Sequence, residues 1–408
     1  MERATRVEKQ VIKSNHKFFP LLIDFCHKSK NLYNHANYIV RQAWIKEKKW
    51  FRYEQLYKLL KEEEEYPDFR EMPTAQSAQQ TLRFLDRNWK SFFASIKDWK
   101  NNKEKYTGRP KLPNYLKKED NYILTLTNQN CKRKNNVVCS PKKFNGFTGT
   151  PKFVERSNFV SFQQVRFMPY PDKIVLEFVY QIKVPEQKKD NQRYVGIDIG
   201  VNNLATVCHN TGEKAFLIHG KQLKSINQWY NNRIAHYQKV NKQMNGRYGL
   251  KRMDRIAAKR NARMEDYLHK ASWYIVEYCG KQNVHTIVIG NNKGWKQKVD
   301  MGEVANQNFV QIPFARLMEM IEYKAREQGI AVILTEESYT SGTSFIDNEM
   351  PTKEYYNKAR RVKRGLFLSN HGIEINADLN GAYQIMKKIV PIKWDRGCVL
   401  HPVVVNIA

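Results

Sequence analysis

The sequence predicts an α/β domain of ribonuclease-H-like order, preceded by a small β-barrel that a helical segment interrupts. Three observations carry this reading. From residue 194 onward, three strand patterns give way to helix, strand, helix, strand, helix. Before residue 100 apolar residues recur at helical spacing, whereas residues 122–184 hold short β-branched and aromatic runs parted by turns. The third is a single carboxylate, Asp198, inside the apolar run at 194–199. A desolvated acid needs a cation or strong hydrogen bonds, so it implies either a bound metal or a surface-facing position allowed by strand alternation.

In chain order, residues 1–14 alternate charged and apolar positions (Thr5, Val7, Val11), as an opening strand does. Residues 18–99 read as helices. Leu22, Phe25, Leu32, Tyr33, Ala36 and Val40 share a first stripe. A charged break at 61–66 and Pro67 and Pro73 separate it from a second, with Leu82, Leu85, Trp89, Phe92, Phe93 and Ile96. That aromatic stripe is expected in the core, with Arg83, Arg87, Lys90 and Lys97 on the opposite face as phosphate contacts. Gly-Arg-Pro-Lys-Leu-Pro at 108–113 ends the helical region. Runs at 122–127, 159–162 and 173–180 supply barrel strands, and the polar stretch 185–192 a linker. Strands follow at 194–199, 204–209 and 214–218, then one long basic helical region at 222–281. A strand at 286–290, a helix at 313–328, a strand at 330–335 and a helix from Ala377 complete the order.

Composition narrows the partners. The 408 residues carry 70 Lys and Arg against 40 Asp and Glu, a net charge of +30. Basic excess on this scale is a footprint for nucleic acid, bound in a salt-dependent way. No apolar run reaches membrane-spanning length and no secretory or lipidation signal is present. A soluble protein of a bacterial-type cytosol, associated with the nucleoid, is expected. The cysteines (Cys26, Cys131, Cys139, Cys208, Cys279 and Cys398) form no C-x-x-C pair, so reduced thiols and no zinc are expected.

Three acidic loci match a ribonuclease-H-like site: Asp198 on the first strand, the pair Glu336-Glu337 after a later strand, and Asp378 on the last helix. Phosphodiester cleavage in such folds uses two divalent ions, and Mg²⁺ takes hard oxygen ligands, so Asp198 would bridge both ions. Each acid also has a plainer reading. Asp378 could cap its helix, and Glu336-Glu337 could be a solvated strand end. Asp347 and Glu349 read as surface charge on a loop. Trp295-Lys-Gln-Lys298 and Arg360-Arg-Val-Lys-Arg364 read as phosphate contacts or solvated faces.

Gly-Ile-Asp-Ile-Gly-Val-Asn-Asn-Leu-Ala-Thr at 196–206 resembles the first RuvC motif of the TnpB family, the transposon-encoded RNA-guided DNA endonucleases related to type V CRISPR effectors. The run at 108–113, Tyr339-Thr-Ser341, Arg364-Gly-Leu366 and Asn376-Ala-Asp-Leu-Asn-Gly-Ala382 resemble further family motifs. The resemblance implies a β-barrel wedge domain (1–14 and 106–184), a helical recognition domain (15–105) and a RuvC nuclease domain (193–390), with 391–408 as a tail. It also implies a guide RNA from the transposon end, double-stranded target DNA, a flanking motif and two Mg²⁺ ions.

Two departures stand out. Gly290 occupies the place where the family's second RuvC motif carries Glu, and the segment 339–370 lacks the zinc-ribbon cysteines. A family lineage resembles this chain in carrying Glu-Ser-Tyr-Thr-Ser after the next strand, which points to Glu337 as the displaced acid, with Glu336 as the alternative. The catalytic set implied is Asp198, Glu337 and Asp378. The rival readings are a nuclease-inactive, RNA-guided DNA-binding repressor and a guide-independent transposase.

Overall fold

The computed structural model describes residues 2–65, 67–134, 137–245, 251–291, 311–363, 365–393 and 399–407. Two units emerge: Arg3–Lys183, and Val184–Ala408 together with Met1–Glu2.

In the first unit, β1 (Glu2–Lys13) leads into α1 (Phe19–Glu47), α2 (Tyr53–Glu62), α3 (Asp68–Glu71) and α4 (Ala75–Asn101). Thr74 caps α4, its side chain accepting from the Ser77 amide at 3.0 Å, and Ser77 Oγ accepts in return from the Thr74 amide. The two long helices share the predicted stripes. Trp89 is fully buried and donates its indole N–H to Asn37 at 3.1 Å, while Phe93 meets Trp44 edge-on at 4.9 Å. The opposite face of α4 is less free than its charge suggests. Arg83 lies over Tyr53 and Arg87 over Phe84, and Lys90 pairs with Asp86 at 2.7 Å.

The strands of this unit are β2 (Leu124–Thr127), the short β3 (Lys132–Lys134), β4 (Val137–Cys139) and β5 (Thr148–Gly149), then β6 (Phe159–Tyr170) and β7 (Lys173–Val184). They form a four-stranded sheet, order β1-β7-β6-β2, and a three-stranded sheet, β3-β4-β5. β6 runs eight residues beyond the predicted 159–162. Register shifts between Phe159 and Ser161 and between Phe162 and Gln164 break the two-residue period that a sequence reading follows.

The second unit is built on a six-stranded sheet. β9 (Asn203–His209) runs antiparallel to both of its neighbours, β8 (Tyr194–Asp198) and β10 (Phe216–His219). Next come α5 (Lys221–Asn245) and α6 (Lys251–Lys281), two helices where one helical region was expected. They lie antiparallel, for Arg260 donates to Asn227 and Arg252 covers the Tyr237 ring. β11 (Thr286–Gly290), α7 (Phe314–Arg326) and β12 (Ala331–Thr335) follow, with β11 parallel to β8 and β12 parallel to β11. The short β13 (Leu366–Leu368) and β14 (Glu374–Asn376) precede α8 (Ala377–Lys387), and β15 (Val403–Val405) pairs with β10. The sheet order is β12-β11-β8-β9-β10-β15. β15 lies in the stretch read as a tail, because three valines are too few to show a period.

Alternation along β8 decides what faces what. Val195 and Ile197 enter the core beneath α6 and α7, beside Leu268, Ile275, Leu317 and Ile321. Asp198 lies on the other face, where Ala382, Tyr383 and Met386 of α8 pack. Helices on both faces explain why β11 is buried at every position. Each fully buried isoleucine there contributes roughly 1.5–3 kcal/mol.

Asp347 and Glu349 are not the surface charges expected of them. Glu349 is 8% exposed, ion-pairs with Arg360 at 2.6 Å and accepts from the Ser344 amide at 2.8 Å. Asp347 accepts from the Asn370 amide at 2.8 Å, with only 5% of its side chain exposed. These carboxylates tie the two ends of the 339–370 segment together through partners distant in sequence. The run 295–298, Arg364 and Cys398 lie outside the described residues.

Candidate functional site

Asp198, Gly290 and Thr335 end three neighbouring parallel strands, in registers Ile197↔Ile289 and Gly290↔Thr335. β12 therefore stands about 10 Å from β8 across one intervening strand. The chain leaves β12 at Thr335, and Glu337 turns back over Gly290. A Cβ at position 290 would lie 2.6 Å from Glu337 Cγ and 2.7 Å from Ile385 Cδ1. Glu337 fills the space that a side chain at 290 would need. Its neighbour Glu336 is exposed and faces outward.

α8 delivers the third acid. Asn376 caps this helix, accepting from the amides of Asp378 and Leu379 at 3.1 and 3.0 Å, so the capping role weighed for Asp378 belongs to Asn376. Gly381, one turn on, allows α8 to lie against β8, since a Cβ there would be 2.9 Å from Asp198 Oδ2. The docked segment 343–345 secures the helix. The Phe345 amide donates to Asn380 at 3.0 Å, and the Phe345 ring stacks on Tyr383 at 4.4 Å.

The electrostatics follow from this proximity. Burial, then the Asp378 and Glu337 charges, push the Asp198 carboxyl well above the usual carboxylate range, while Arg361 opposes the shift. Burial pushes Glu337 up to about 7, offset in part by Lys388. Asp378 accepts from Asn203 Nδ2 at 2.7 Å and from Arg361 at 2.9 Å. His219 Nδ1 sits 3.1 Å from Asn203 Oδ1. Because Asn203 donates through its nitrogen to Asp378, its oxygen must accept, which fixes the proton on His219 Nδ1. A cavity of about 470 Å³ opens over Asp378, walled by Asn202, Lys221, Lys224 and Arg361 among others.

Among the described residues, no three His, Cys, Asp or Glu side chains are gathered to hold a metal ion as they stand. The donor set nevertheless suits a hard divalent cation: three carboxylates, with an amide beside them. Their mutual repulsion calls for positive charge, and the Arg361 guanidinium stands in that role at Asp378. The five described cysteines are free thiols.

Of the residues expected at the site, Glu337 and Asp378 lie near enough to Asp198 for their charges to raise its carboxyl; Glu336 is exposed, and Arg360 is half-buried on Glu349 instead. Asn203, His219, Lys221 and Lys224 were not assigned from sequence. The pair Asn202-Asn203 directly after the Asp198 strand was the available signal.

Comparison with known proteins gives two family models and two curated relatives. Residues 177–296 match the OrfB_IS605 model, described as a probable transposase, and residues 314–385 match the Cas12f1-like TNB domain. The chain is 25% identical over 214 residues to a TnpB-like protein, ORF457, of Acidianus two-tailed virus, spanning 50% of this chain and 44% of that protein. It is 25% identical over 227 residues to the CRISPR-associated endodeoxyribonuclease Cas12f2 of a Micrarchaeota archaeon, spanning 52% and 40%. The match thus spans less than half the length of either relative. In fold, the chain resembles the protein in a cryo-EM structure of a Cas12f1–sgRNA–target DNA complex, with TM-score 0.56, 15% identity, and coverage of 90% of this chain and 82% of that one. No helix among the described residues is long and apolar enough to cross a membrane.

Proposed function

We propose, from the premise that this chain belongs to the TnpB family, that it is an RNA-guided DNA endonuclease whose nuclease site comprises Asp198, Glu337 and Asp378. The observation that carries this reading is Glu337 filling the side-chain space over Gly290, beside Asp198. The acid absent from one strand is supplied by the next. In this reading residues 1–14 and 106–184 are the wedge barrel, 15–105 the recognition insertion and 193–390 a RuvC-like domain. A guide RNA from the transposon end supplies sequence specificity by base pairing, and the protein reads a short motif flanking the target.

Asp198, Glu337 and Asp378 would be the residues that hold Mg²⁺. When bound, Mg²⁺ supplies a polarised water and charge stabilisation at the leaving oxygen. Asn203 holds the Asp378 carboxylate in one orientation, and His219 holds the Asn203 amide. Lys221 and Lys224 present cations to a phosphate backbone entering the cavity. Arg361, paired with Asp378 at 2.9 Å, adds a further cation that such a backbone would meet in the cavity.

The test is cleavage of a plasmid matched to the RNA that copurifies with the protein. Glu337→Gln should abolish cutting while leaving guided DNA binding nearly intact, and Glu336→Gln should cut normally. If both variants cut at the wild-type rate, the displaced-acid reading is wrong. A wild type that binds matched DNA and never cuts with Mg²⁺ or Mn²⁺ makes this a guided DNA-binding repressor.

A further inference from the structure

Two cavities beyond the acidic site lie along the α5–α6 hairpin; their lining is mainly basic, aromatic and polar, with one acid, Asp266, which pairs with Lys270 at 3.1 Å. The first, about 560 Å³, is bounded by Gln222, Ser225, Trp229, Arg263, Tyr267 and Lys270. The second, about 530 Å³, begins at the same Trp229 and continues past Arg233 and Tyr237, facing Arg252, Arg255 and Lys259. Arg252, Arg255, Lys259 and Arg263 are all exposed and spaced three or four residues apart, one ridge about 16 Å long. α5 contributes Trp229, Arg233 and Tyr237 at four-residue steps, and it contains no acid. Arg263 and Lys259 hold their charges 5.1 and 5.8 Å from the Trp229 ring centre, and Arg252 lies 4.7 Å from that of Tyr237.

The groove adjoins the acidic site. Tyr267, in its first cavity, donates its hydroxyl to the His219 carbonyl, and His219 lines the cavity over Asp378. α5 begins with Lys221 and Lys224 in that same cavity.

We propose that the α5–α6 groove binds single-stranded DNA and leads it to the acidic site. This rests on the nuclease reading above, since the strand so held is the one to be cut. Charge alone would fit any nucleic acid. The aromatic rings select a single strand, because bases of a duplex are stacked on each other and present no face to Trp229 or Tyr237. Turned from the rings they now cover, Arg252, Lys259 and Arg263 would neutralise successive phosphates while Trp229 and Tyr237 take bases, the division of labour that single-strand grooves use. Adjacency to the cavity over Asp378, through Tyr267 and the start of α5, commits the occupant to the DNA strand rather than to RNA.

The test uses the full chain with its copurified RNA, carrying Asp198→Ala, in EDTA, so that cutting plays no part. A 20-nucleotide DNA strand containing 5-bromodeoxyuridine is bound, irradiated and mapped by mass spectrometry. Crosslinks are expected in 222–237 and 252–270. Trp229→Ala should weaken binding about fivefold or more, and Trp229→Tyr should restore most of it, separating stacking from folding. Arg255→Gln with Lys259→Gln should flatten the dependence of log Kd on log salt by about 1.4, at ~0.7 for each phosphate no longer neutralised. Crosslinks only outside both helices, an unchanged affinity in Trp229→Ala, or tighter capture of the same sequence as RNA would each overturn the proposal. A wild type that crosslinks in the groove but never cuts with Mg²⁺ removes the nuclease reading and leaves the groove standing.

Discussion

Gly290 and Glu337 form one feature seen from two strands. Glycine is required at 290 because Glu337 occupies its side-chain space, so Gly290→Ala should displace Glu337 and slow cutting without unfolding β11. Normal cutting by a folded Gly290→Ala would contradict that. Asp198 was legible because an acid in an apolar strand is unusual; Asp378, at a helix start where acids are common, stood out only through the order of elements and the resemblance of the motif at 376–382. Glu337 was legible only through resemblance, since nothing in the spacing shows that two strands lie side by side. Asn203 and His219 were not legible, because their roles depend on Asp378, far along the chain. Asn203→Ala should free the Asp378 carboxylate, reducing cutting and Mg²⁺ affinity together by about tenfold or more, measurable by titrating Mg²⁺ against melting temperature. The pH dependence has a definite sign. Glu337 is raised from 4.5 to about 7, so without metal the folded state holds the extra proton. Stability should then fall as pH rises from about 4.5 and level above about 7, by ~3 kcal/mol from this group. Asp198 shifts in the same direction. Mg²⁺ requires the deprotonated acids, so its stabilisation of the fold should be larger at pH 8 than at pH 5.5. An equal increment at both pH values would count against a carboxylate cation site.

The 339–370 segment shows what elements conceal from a sequence reading. Without cysteines it read as a loop with surface acids, yet Glu349 gathers Ser344, Arg360 and Asn370 around a buried carboxylate. None of these partners follows from local spacing. Glu349→Ala should strand the Arg360 charge and cost about 3–5 kcal/mol, seen as a lower melting temperature and early proteolysis within the segment. A melting temperature within about 1 °C of wild type would show that the network is dispensable. The helices were the more legible elements: the stripes on α1 and α4 pack where periodicity placed them. β6 escaped because its two irregularities shift the alternation.

At the scale of the molecule, the order of elements after residue 194 sufficed to anticipate the strand sequence of the second unit, apart from β13, β14 and β15. The net charge of +30 pointed to nucleic acid before any motif did. The purified protein should therefore carry discrete RNA, and its DNA affinity should fall steeply between low and physiological salt; a flat response would refute an electrostatic grip. The displaced acid is tested most directly by moving it back. In Mg²⁺-dependent cleavage of a guide-matched plasmid, Glu337→Ala should lose more than about a hundredfold in rate. Gly290→Glu alone would collide with Glu337 and also cut poorly. Combining Gly290→Glu with Glu337→Ala removes the clash with Glu337, leaving only the tip of Ile385 to shift, and should recover cutting above either single variant. If Glu337→Ala cuts as fast as wild type, Glu337 is not the missing ligand and the account of this site fails.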